Sequence, residues 1–430
     1  MSHVLTGLDR QREIYLAGVA GQTPKVPLSP EGLATAARNR LSKEAYAYIA
    51  GGSGQELTMR SNREAFAQWE LVPRMLRNVA ERDLSISLFG RTLPTPFLLS
   101  PIGVLEMAHP QADLAVGRAA AQLGVPYIFS NQASVPMEAV AAAMGAGPRW
   151  FQLYWSKSRE LVKSLVQRAE GCGCEAIVVT LDTTLLGWRV RDLEAGYLPF
   201  LRGKGIAQYT SDPVFLELAQ EPPTGPATQA KRKVTLKAIF ALWQMAKAHP
   251  GSTWGNLRSG RALRAVQHFI QIYTNPALAW EDLSYLREVT KLPILLKGIL
   301  HPDDARRAVE IGMDGVVVSN HGGRQVDGAV GALTMLPEVV AAVEGRIPVI
   351  FDSGIRTGAD AVKALALGAT AVGIGRPYVY GLALDGEAGV AQVLTNLMAE
   401  LDLTLGLCGL RSVEELSESC LRPAQPNFSK

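Results

Sequence analysis

Charge excess, cysteine and long apolar runs are all scarce in this 430-residue chain. Lysine and arginine number 43 against 40 acidic residues, a formal net charge of +3. So small a balance gives no electrostatic case for nucleic acid or a membrane surface as a partner. There are four cysteines, Cys172, Cys174, Cys408 and Cys420. Cys172 and Cys174 are one residue apart, not the two of a zinc or redox motif, and no second pair accompanies them. Neither a metal site nor a disulfide framework is expected, and a reduced, cytoplasmic setting is the simplest expectation. No run of about 18 apolar residues occurs. The opening MSHVLTGLDRQREIY lacks the apolar core of a signal peptide. Histidine is rare too, with six in all, so the position of each is informative.

What the chain does have is rhythm. Residues 1–90 read as mixed helix, including the amphipathic stretch LSKEAYAYIAGG, which Gly51 and Gly52 should stop. From residue 91 onward, short apolar runs alternate with Ala-rich helical stretches. The runs are PFLLSP (96–101), VPYIFS (125–130), RWFQLY (149–154), AIVVTLD (176–182), PILLKG (293–298), GVVVSN (315–320), IPVIFD (347–352) and TAVGIG (370–375). Between them lie helical patterns such as ADLAVGRAAAQLG, SRELVKSLVQRAEG, PDDARRAVEIG and GADAVKALALG, each ending in Gly. Strands apolar on both faces, each followed by a helix, require a parallel sheet covered on both sides. Eight such units predict a closed (β/α)8 barrel of the TIM type rather than an open doubly wound sheet.

One segment breaks the rhythm, between the fourth and fifth runs. It opens with RVRDLEAGYLPFLRGKGIAQYTSDPVF, passes through EPPTGPATQAKRK, which reads as a flexible crest, and continues with a helix around VTLKAIFALWQMAKAH. An insertion after a barrel strand emerges on the C-terminal face, where active sites sit. The stretch 190–270 is thus expected to be a lid, a subunit contact, or both. The organisation expected is a helical segment over 1–90 packed on a barrel over 91–430.

Polar residues at the C-terminal ends of barrel strands are placed for function. Here they include Ser100, Ser130, Gln152, Tyr154, Thr180, Asp182, Lys297, Ser319, His321, Arg324, Asp352, Arg356 and Arg376. Buried polar groups are costly unless partnered, so a large ligand rich in hydrogen-bonding atoms is implied. Two glycine-rich turns follow the last two runs, Asp352-Ser-Gly-Ile-Arg-Thr-Gly358 and Gly373-Ile-Gly-Arg376-Pro, where barrels often hold a phosphate. Lys297 suits either a Schiff base or a partner for an electron-rich cofactor atom. Of the six histidines only His321 stands at a strand end among glycines, in SNHGGRQVDG. Arg324 and Arg189 suit a paired grip on a carboxylate. Asp182, if it faces His321, would orient that imidazole and raise its basicity; otherwise it caps a turn.

The strings SNHGGRQVDG, PILLKG, FQLY, VTLDTTLLGWR, DSGIRTGADAVKALALGA and GIGRP resemble the FMN-dependent 2-hydroxy-acid oxidase and dehydrogenase family. The resemblance runs from about residue 30 to about residue 420. SPIGVLEMAHP, FSNQAS, FQLYW and the long insertion look closest to its lactate 2-monooxygenase branch. The resemblance implies His321 as the base, Asp182 as its electrostatic support and Tyr154 near the reacting oxygen. It implies Tyr48, Arg189, Arg324 and Tyr154 as the substrate site. The isoalloxazine of FMN would rest on Pro101, Ile102, Gly103, Ser130, Gln152 and Thr180, with Lys297 at its N1–C2 edge. Ser319, Asp352, Ser353, Gly354, Arg356, Gly375 and Arg376 would hold the ribityl and phosphate parts. Gln132 stands where glycolate-oxidase-like members often carry an aromatic residue, which disfavours a glycolate reading.

The expected function is FMN-dependent oxidation of an L-2-hydroxy acid, L-lactate first, with O2 as acceptor, yielding acetate, CO2 and water. The expected assembly is a homo-tetramer or octamer. Alternatives are an L-lactate oxidase or dehydrogenase that releases pyruvate, an FMN-dependent isopentenyl diphosphate isomerase, and a Schiff-base lyase using Lys297.

Overall fold

The computed structural model describes residues 6–220 and 235–425. All eight apolar runs become strands: β1 (Phe97–Leu99), β2 (Tyr127–Phe129), β3 (Arg149–Leu153), β4 (Ile177–Thr180), β5 (Ile294–Ile299), β6 (Gly315–Val318), β7 (Val349–Phe351) and β8 (Ala371–Ile374). Each pairs in parallel with the next, and β8 closes onto β1 through Gly373 opposite Leu98. The result is the closed (β/α)8 barrel expected from the strand count. Its interior is packed: Leu98, Phe129, Phe151 and Val318 have at most 1% of their surface exposed.

The outer helices follow the sequence signals. Ala112–Leu123 ends on Gly124 in the left-handed region, and Ser158 caps Arg159–Gly171 by accepting the Leu161 amide. Thr357 and Asp360 form a reciprocal capping box on Gly358–Ala366. Helix Lys43–Ala50 stops where expected, but by another device. Gly51 is extended (φ −70°), and glycine is needed because a Cβ there would lie 2.4 Å from the Ala47 carbonyl oxygen.

The first ninety residues are not all helix. Helices Gly7–Val19, Pro30–Arg40, Lys43–Ala50 and Leu57–Ala67 are joined by two short antiparallel ribbons, one pairing Trp69–Leu71 with Leu421–Pro423 and the other Ile86–Leu88 with Arg91–Leu93. Strands of three residues are too short to show an alternating pattern. Helices Gly7–Val19 and Pro30–Arg40 pack on Arg376–Leu407, which follows β8 and is two helical stretches broken by a kink at Asp385 and Gly386. The Asp327 carboxylate, in the loop after β6, accepts the Gln55 and Leu57 amides and so ties the start of Leu57–Ala67 to the barrel mouth.

The insertion after β4 has its own core. Phe200, Tyr209, Phe215, Phe269 and Tyr273 form a continuous aromatic cluster, with Phe269 and Tyr273 stacked at 4.7 Å. Asp212 pins it to the barrel by accepting from Ser164 Oγ (2.8 Å) and Arg168 Nη1 (3.0 Å) on the helix after β3. The expected helix is present as Leu236–Ala248, capped by Thr235. The stretch EPPTGPATQAKRK lies outside the described residues.

Candidate active site

The C-terminal ends of the strands surround one cavity, of about 1000 Å³ including its open mouth. His321 enters it from the loop after β6. Its backbone is left-handed (φ +57°), as are those of Gly322 and Gly323. Such a conformation costs a non-glycine residue about 1 kcal/mol or more, so the surroundings must enforce it. Ser353 Oγ does so by accepting the Asn320 and Gly322 amides (3.2 and 3.0 Å), and Ser319 Oγ accepts the His321 amide (3.1 Å). Asn62 and Asn320 exchange reciprocal amide hydrogen bonds (2.8 and 2.7 Å) beneath this turn.

His321 Nδ1 lies 2.8 Å from Asp182 Oδ1, at the end of β4, so Nε2 is the nitrogen left to act. Thr183 Oγ1 donates to the same carboxylate oxygen (3.0 Å). The carboxylate gets this close because residue 298 is glycine. Gly298 sits at a register shift in β5 with φ +103°, and a Cβ there would come within 2.8 Å of Asp182 Cβ. Burial works against ionisation of Asp182, but the charge of His321, its hydrogen bond and Lys297 outweigh it, and the carboxyl titrates below its usual range. For His321, burial is the largest influence and lowers its pKa; Asp182 raises it, while Lys297 and Arg189 add to the lowering. The net direction is downward, opposite to the gain in basicity expected from Asp182 alone. A neutral imidazole at neutral pH follows.

Around this pair stand buried cations. Arg189 donates to the Arg324 carbonyl (3.3 Å) and Gln325 Oε1 (3.2 Å). Arg324 donates to the carbonyls of Tyr48 and Gly51 at the end of helix Lys43–Ala50, and its guanidinium lies 5.0 Å from the Tyr48 ring centre. Burial and the neighbouring Arg189 push Arg324 down to about 9. Tyr154 is a phenol held in its protonated form, chiefly by burial and then by the nearby Asp182. Leu186, Phe200 and Tyr273 complete this side of the cavity.

The opposite side is built from the loops after β7 and β8. Among the described residues the Arg356 guanidinium gives one hydrogen bond, to its neighbour's carbonyl at Ile355 (2.8 Å), while its backbone amide donates to Asp360 Oδ2 (2.9 Å). Burial and then the charge of Arg376 lower it to about 10. Arg376 bonds the carbonyls of Ile49, Gly322 and Gly51 (3.2, 3.0 and 2.9 Å). Gly375 precedes the first helical stretch of Arg376–Leu407, which runs up to the kink at Asp385 and whose N-terminus has no side-chain cap. Between the two sides, Lys297 donates to Ser319 Oγ (2.7 Å) and pairs with Asp352 (3.2 Å), which also accepts from Ser100 and Ser353.

Most residues singled out by sequence meet at this cavity: Pro101, Ile102 and Gly103 from the loop after β1, Tyr48 from the N-terminal segment, and the groups just described. Ser130, Gln152, Thr180, Asp182 and Ser319 are not on its wall but behind it. Ser130 Oγ accepts the Gln132 amide (3.1 Å) and Gln152 Oε1 the Asn131 amide (3.1 Å). Sequence reasoning missed Leu186, in the turn after β4, and Phe200 and Tyr273, from the irregular sequence between β4 and β5, as well as Thr183 and Gln325, next to residues it did find.

Whether these groups suit a flavin nucleotide is tested by what they leave unsatisfied. Among the described residues Gln152 Nε2 and Thr180 Oγ1 are buried without a partner just beneath the cavity lining, a cost of about 1–3 kcal/mol each that a polar ring pressed onto the cavity floor would relieve. Among the described residues the guanidinium hydrogen bonds of Arg356 and Arg376 go to uncharged acceptors, beside a helix N-terminus suited to a phosphate. The fit is good. Among the described residues no group of acids, histidines and cysteines is arranged to hold a metal ion.

Comparison with known proteins agrees. The FMN-dependent dehydrogenase family matches residues 37–423. L-lactate oxidase of Lysinibacillus sphaericus is 42% identical over 404 residues, spanning 94% of this chain and 95% of that protein. Human 2-hydroxyacid oxidase 1 is 39% identical over 387 residues, 90% of this chain and 94% of that one. The solved structure of mandelate oxidase with (S)-4-hydroxymandelic acid superposes with a TM-score of 0.76 at 38% identity, covering 93% of this chain and 99% of that one. The chain belongs to the FMN-dependent dehydrogenase family, and FMN is its cofactor.

Proposed function

We propose that the enzyme oxidises an L-2-hydroxy acid, L-lactate, to the 2-keto acid with O2 as the final acceptor. We further propose that it retains the pyruvate and releases acetate, CO2 and water, as a lactate 2-monooxygenase does. One observation carries the first part: His321, backed by Asp182 at 2.8 Å, shares a cavity with Arg189 and Arg324, whose hydrogen bonds all go to uncharged acceptors. A base beside two such cations is the minimum needed to hold a small carboxylate and take a proton next to it.

In this reading the guanidiniums of Arg189 and Arg324, with Tyr48, fix the substrate carboxylate. The Tyr154 phenol donates to the substrate hydroxyl, and later to the keto oxygen. His321 accepts the proton at Nε2, and the imidazolium so formed is stabilised by Asp182, already ionised across Nδ1. Hydride and carbanion routes use this same base. FMN, when bound, supplies the two-electron acceptor. Pro101, Ile102, Gly103, Ser130, Gln152 and Thr180 would hold its ring and Lys297 would present an ammonium to it. Ser319, Asp352, Ser353, Gly354, Arg356, Gly375 and Arg376 would hold the ribityl and phosphate parts.

The 190–270 insertion is proposed as the lid behind pyruvate retention, supported by Phe200 on the cavity wall and by the insertion's packed aromatic core. The apolar side chains of Leu236, Ile239, Phe240 and Trp243, exposed on helix Leu236–Ala248, support a second role as a contact in a homo-tetramer or octamer. Four free thiols support a reducing, cytoplasmic setting. A second reading, an oxidase that releases pyruvate and hydrogen peroxide, is favoured by the 42% identity to an L-lactate oxidase. Product analysis after aerobic turnover of L-lactate separates them. Acetate and CO2 in equal amounts support retention; free pyruvate with stoichiometric peroxide rules it out.

A further inference from the structure

The segment from Asp182 to Arg189 carries both the partner of the base and a substrate-side arginine, yet it has little apolar anchorage. Leu185, Leu186 and Trp188 expose 65%, 39% and 72% of their surfaces. Hydrogen bonds must therefore fix it. Trp188 is held through its carbonyl by the Gly54 amide and Ser53 Oγ. Asp182 is also held at His321 and Arg189 at the Arg324 carbonyl, but one side chain from the loop after β6 reaches four points of the stretch at once. Gln325 Nε2 donates to the carbonyls of Asp182 (2.7 Å) and Leu185 (2.8 Å), while Gln325 Oε1 accepts from Arg189 Nη2 (3.2 Å) and the Gly187 amide (3.4 Å). The contact is close enough to exclude even a methyl group. A Cβ on Gly187 would lie 2.5 Å from the Arg324 carbonyl oxygen and 2.8 Å from Gln325 Cα.

We propose that Gln325 is a positioning residue that locks the Asp182 segment and aims Arg189 at the substrate carboxylate. The two carbonyls only accept and the two N–H groups only donate, so the partner must offer two donors and two acceptor sites on one short planar group. A primary amide does this. A carboxylate satisfies Arg189 and Gly187 but repels the two carbonyl oxygens, an ammonium does the reverse, and Asn is one methylene too short. Through Asp182 the amide acts on His321, and through Arg189 it acts on substrate binding, without touching the reacting atoms itself.

The test uses the FMN-loaded enzyme and the Gln325→Ala and Gln325→Glu variants. Hydrogen exchange over residues 182–189 is expected to speed up at least tenfold in Gln325→Ala, with FMN content unchanged. KM for L-lactate is expected to rise about tenfold, and kcat to fall by a smaller factor. Gln325→Glu adds a signature that a merely structural role lacks. Its kcat/KM, divided by that of the wild type, should climb as pH falls, because the protonated carboxyl regains a donor for the Asp182 carbonyl and releases Arg189. Unchanged exchange over 182–189 overturns the proposal whatever the kinetics show. Faster exchange with an unchanged KM overturns the link to Arg189. The kinetic readout rests on the proposed 2-hydroxy-acid chemistry, while exchange does not. A wild type inert to L-lactate would therefore refute that chemistry and leave exchange to decide the role of Gln325.

Discussion

Replacing Asp182 with Asn isolates the charge behind the base while keeping its shape. Proton abstraction places a positive charge on a largely buried imidazole whose Nδ1 lies 2.8 Å from the Asp182 carboxylate. Two unit charges about 4 Å apart at an effective dielectric of about 20 attract by about 4 kcal/mol. A hydrogen bond to a charged group contributes about 1.5–3 kcal/mol, and the neutral one that Asn could keep about 0.5–1.5 kcal/mol. Both figures describe the same contact and do not add, so the loss in the transition state lies between about 1 kcal/mol (the hydrogen-bond difference) and about 4 kcal/mol (the full attraction), or roughly 5- to 1000-fold in rate. The assay is anaerobic stopped-flow reduction of the bound flavin by L-lactate, read as loss of its visible absorbance. The pH profile gives a second check. Burial holds the His321 pKa below its ordinary 6.5 while Asp182 alone among the charges near it pulls upward. The wild-type rate should be level above about 6.5 and fall on the acid side as the base is protonated. Removing the carboxylate should move that acid limb lower still. A loss of less than about threefold, or a limb that moves up, would show that Asp182 does not support the base.

Three further substitutions probe other parts of the site. Arg324→Met should raise KM for L-lactate about 100-fold, since charge-assisted hydrogen bonds are worth about 1.5–3 kcal/mol. FMN content should not change, and a KM within threefold of wild type removes Arg324 from the substrate site. Arg356→Met should weaken FMN retention at least tenfold while leaving the apoprotein as stable as before or more so, because it removes a buried guanidinium that, among the described residues, is hydrogen-bonded only to the Ile355 carbonyl; thermal melts with and without FMN measure both effects. Gly298→Ala places a methyl where φ is +103° and Asp182 Cβ is 2.8 Å away. It should cost about 1–3 kcal/mol in stability and slow flavin reduction, and a fully active, stable variant would show that the loop accommodates it freely.

The barrel was legible because its eight runs are apolar on both faces and are separated by helices with clear caps. Strand-end logic found His321, Lys297 and Asp352 because each follows an apolar run directly. It could not separate residues on the cavity wall from those behind it. Thr180 and Gln152 are buried and do not line the open cavity, whereas Ser100, three residues before a loop glycine, does. The three-residue ribbons were hidden because so few residues show no period. Phe200 and Tyr273 were hidden because irregular sequence does not reveal which of its aromatics turn inward. The upward pull of Asp182 on His321 was expected and is present; the net lowering was not legible. Asp182 was visible in the sequence, but burial and the opposing charges of Lys297 and Arg189 exist only once the chain is folded.

The most direct measurement mixes the FMN-loaded enzyme with L-lactate in the absence of O2, alongside a His321→Gln variant that still holds its flavin. The account predicts rapid bleaching of the wild-type flavin and none in the variant. A wild-type flavin that stays oxidised, or a variant that bleaches at nearly the wild-type rate, would contradict it.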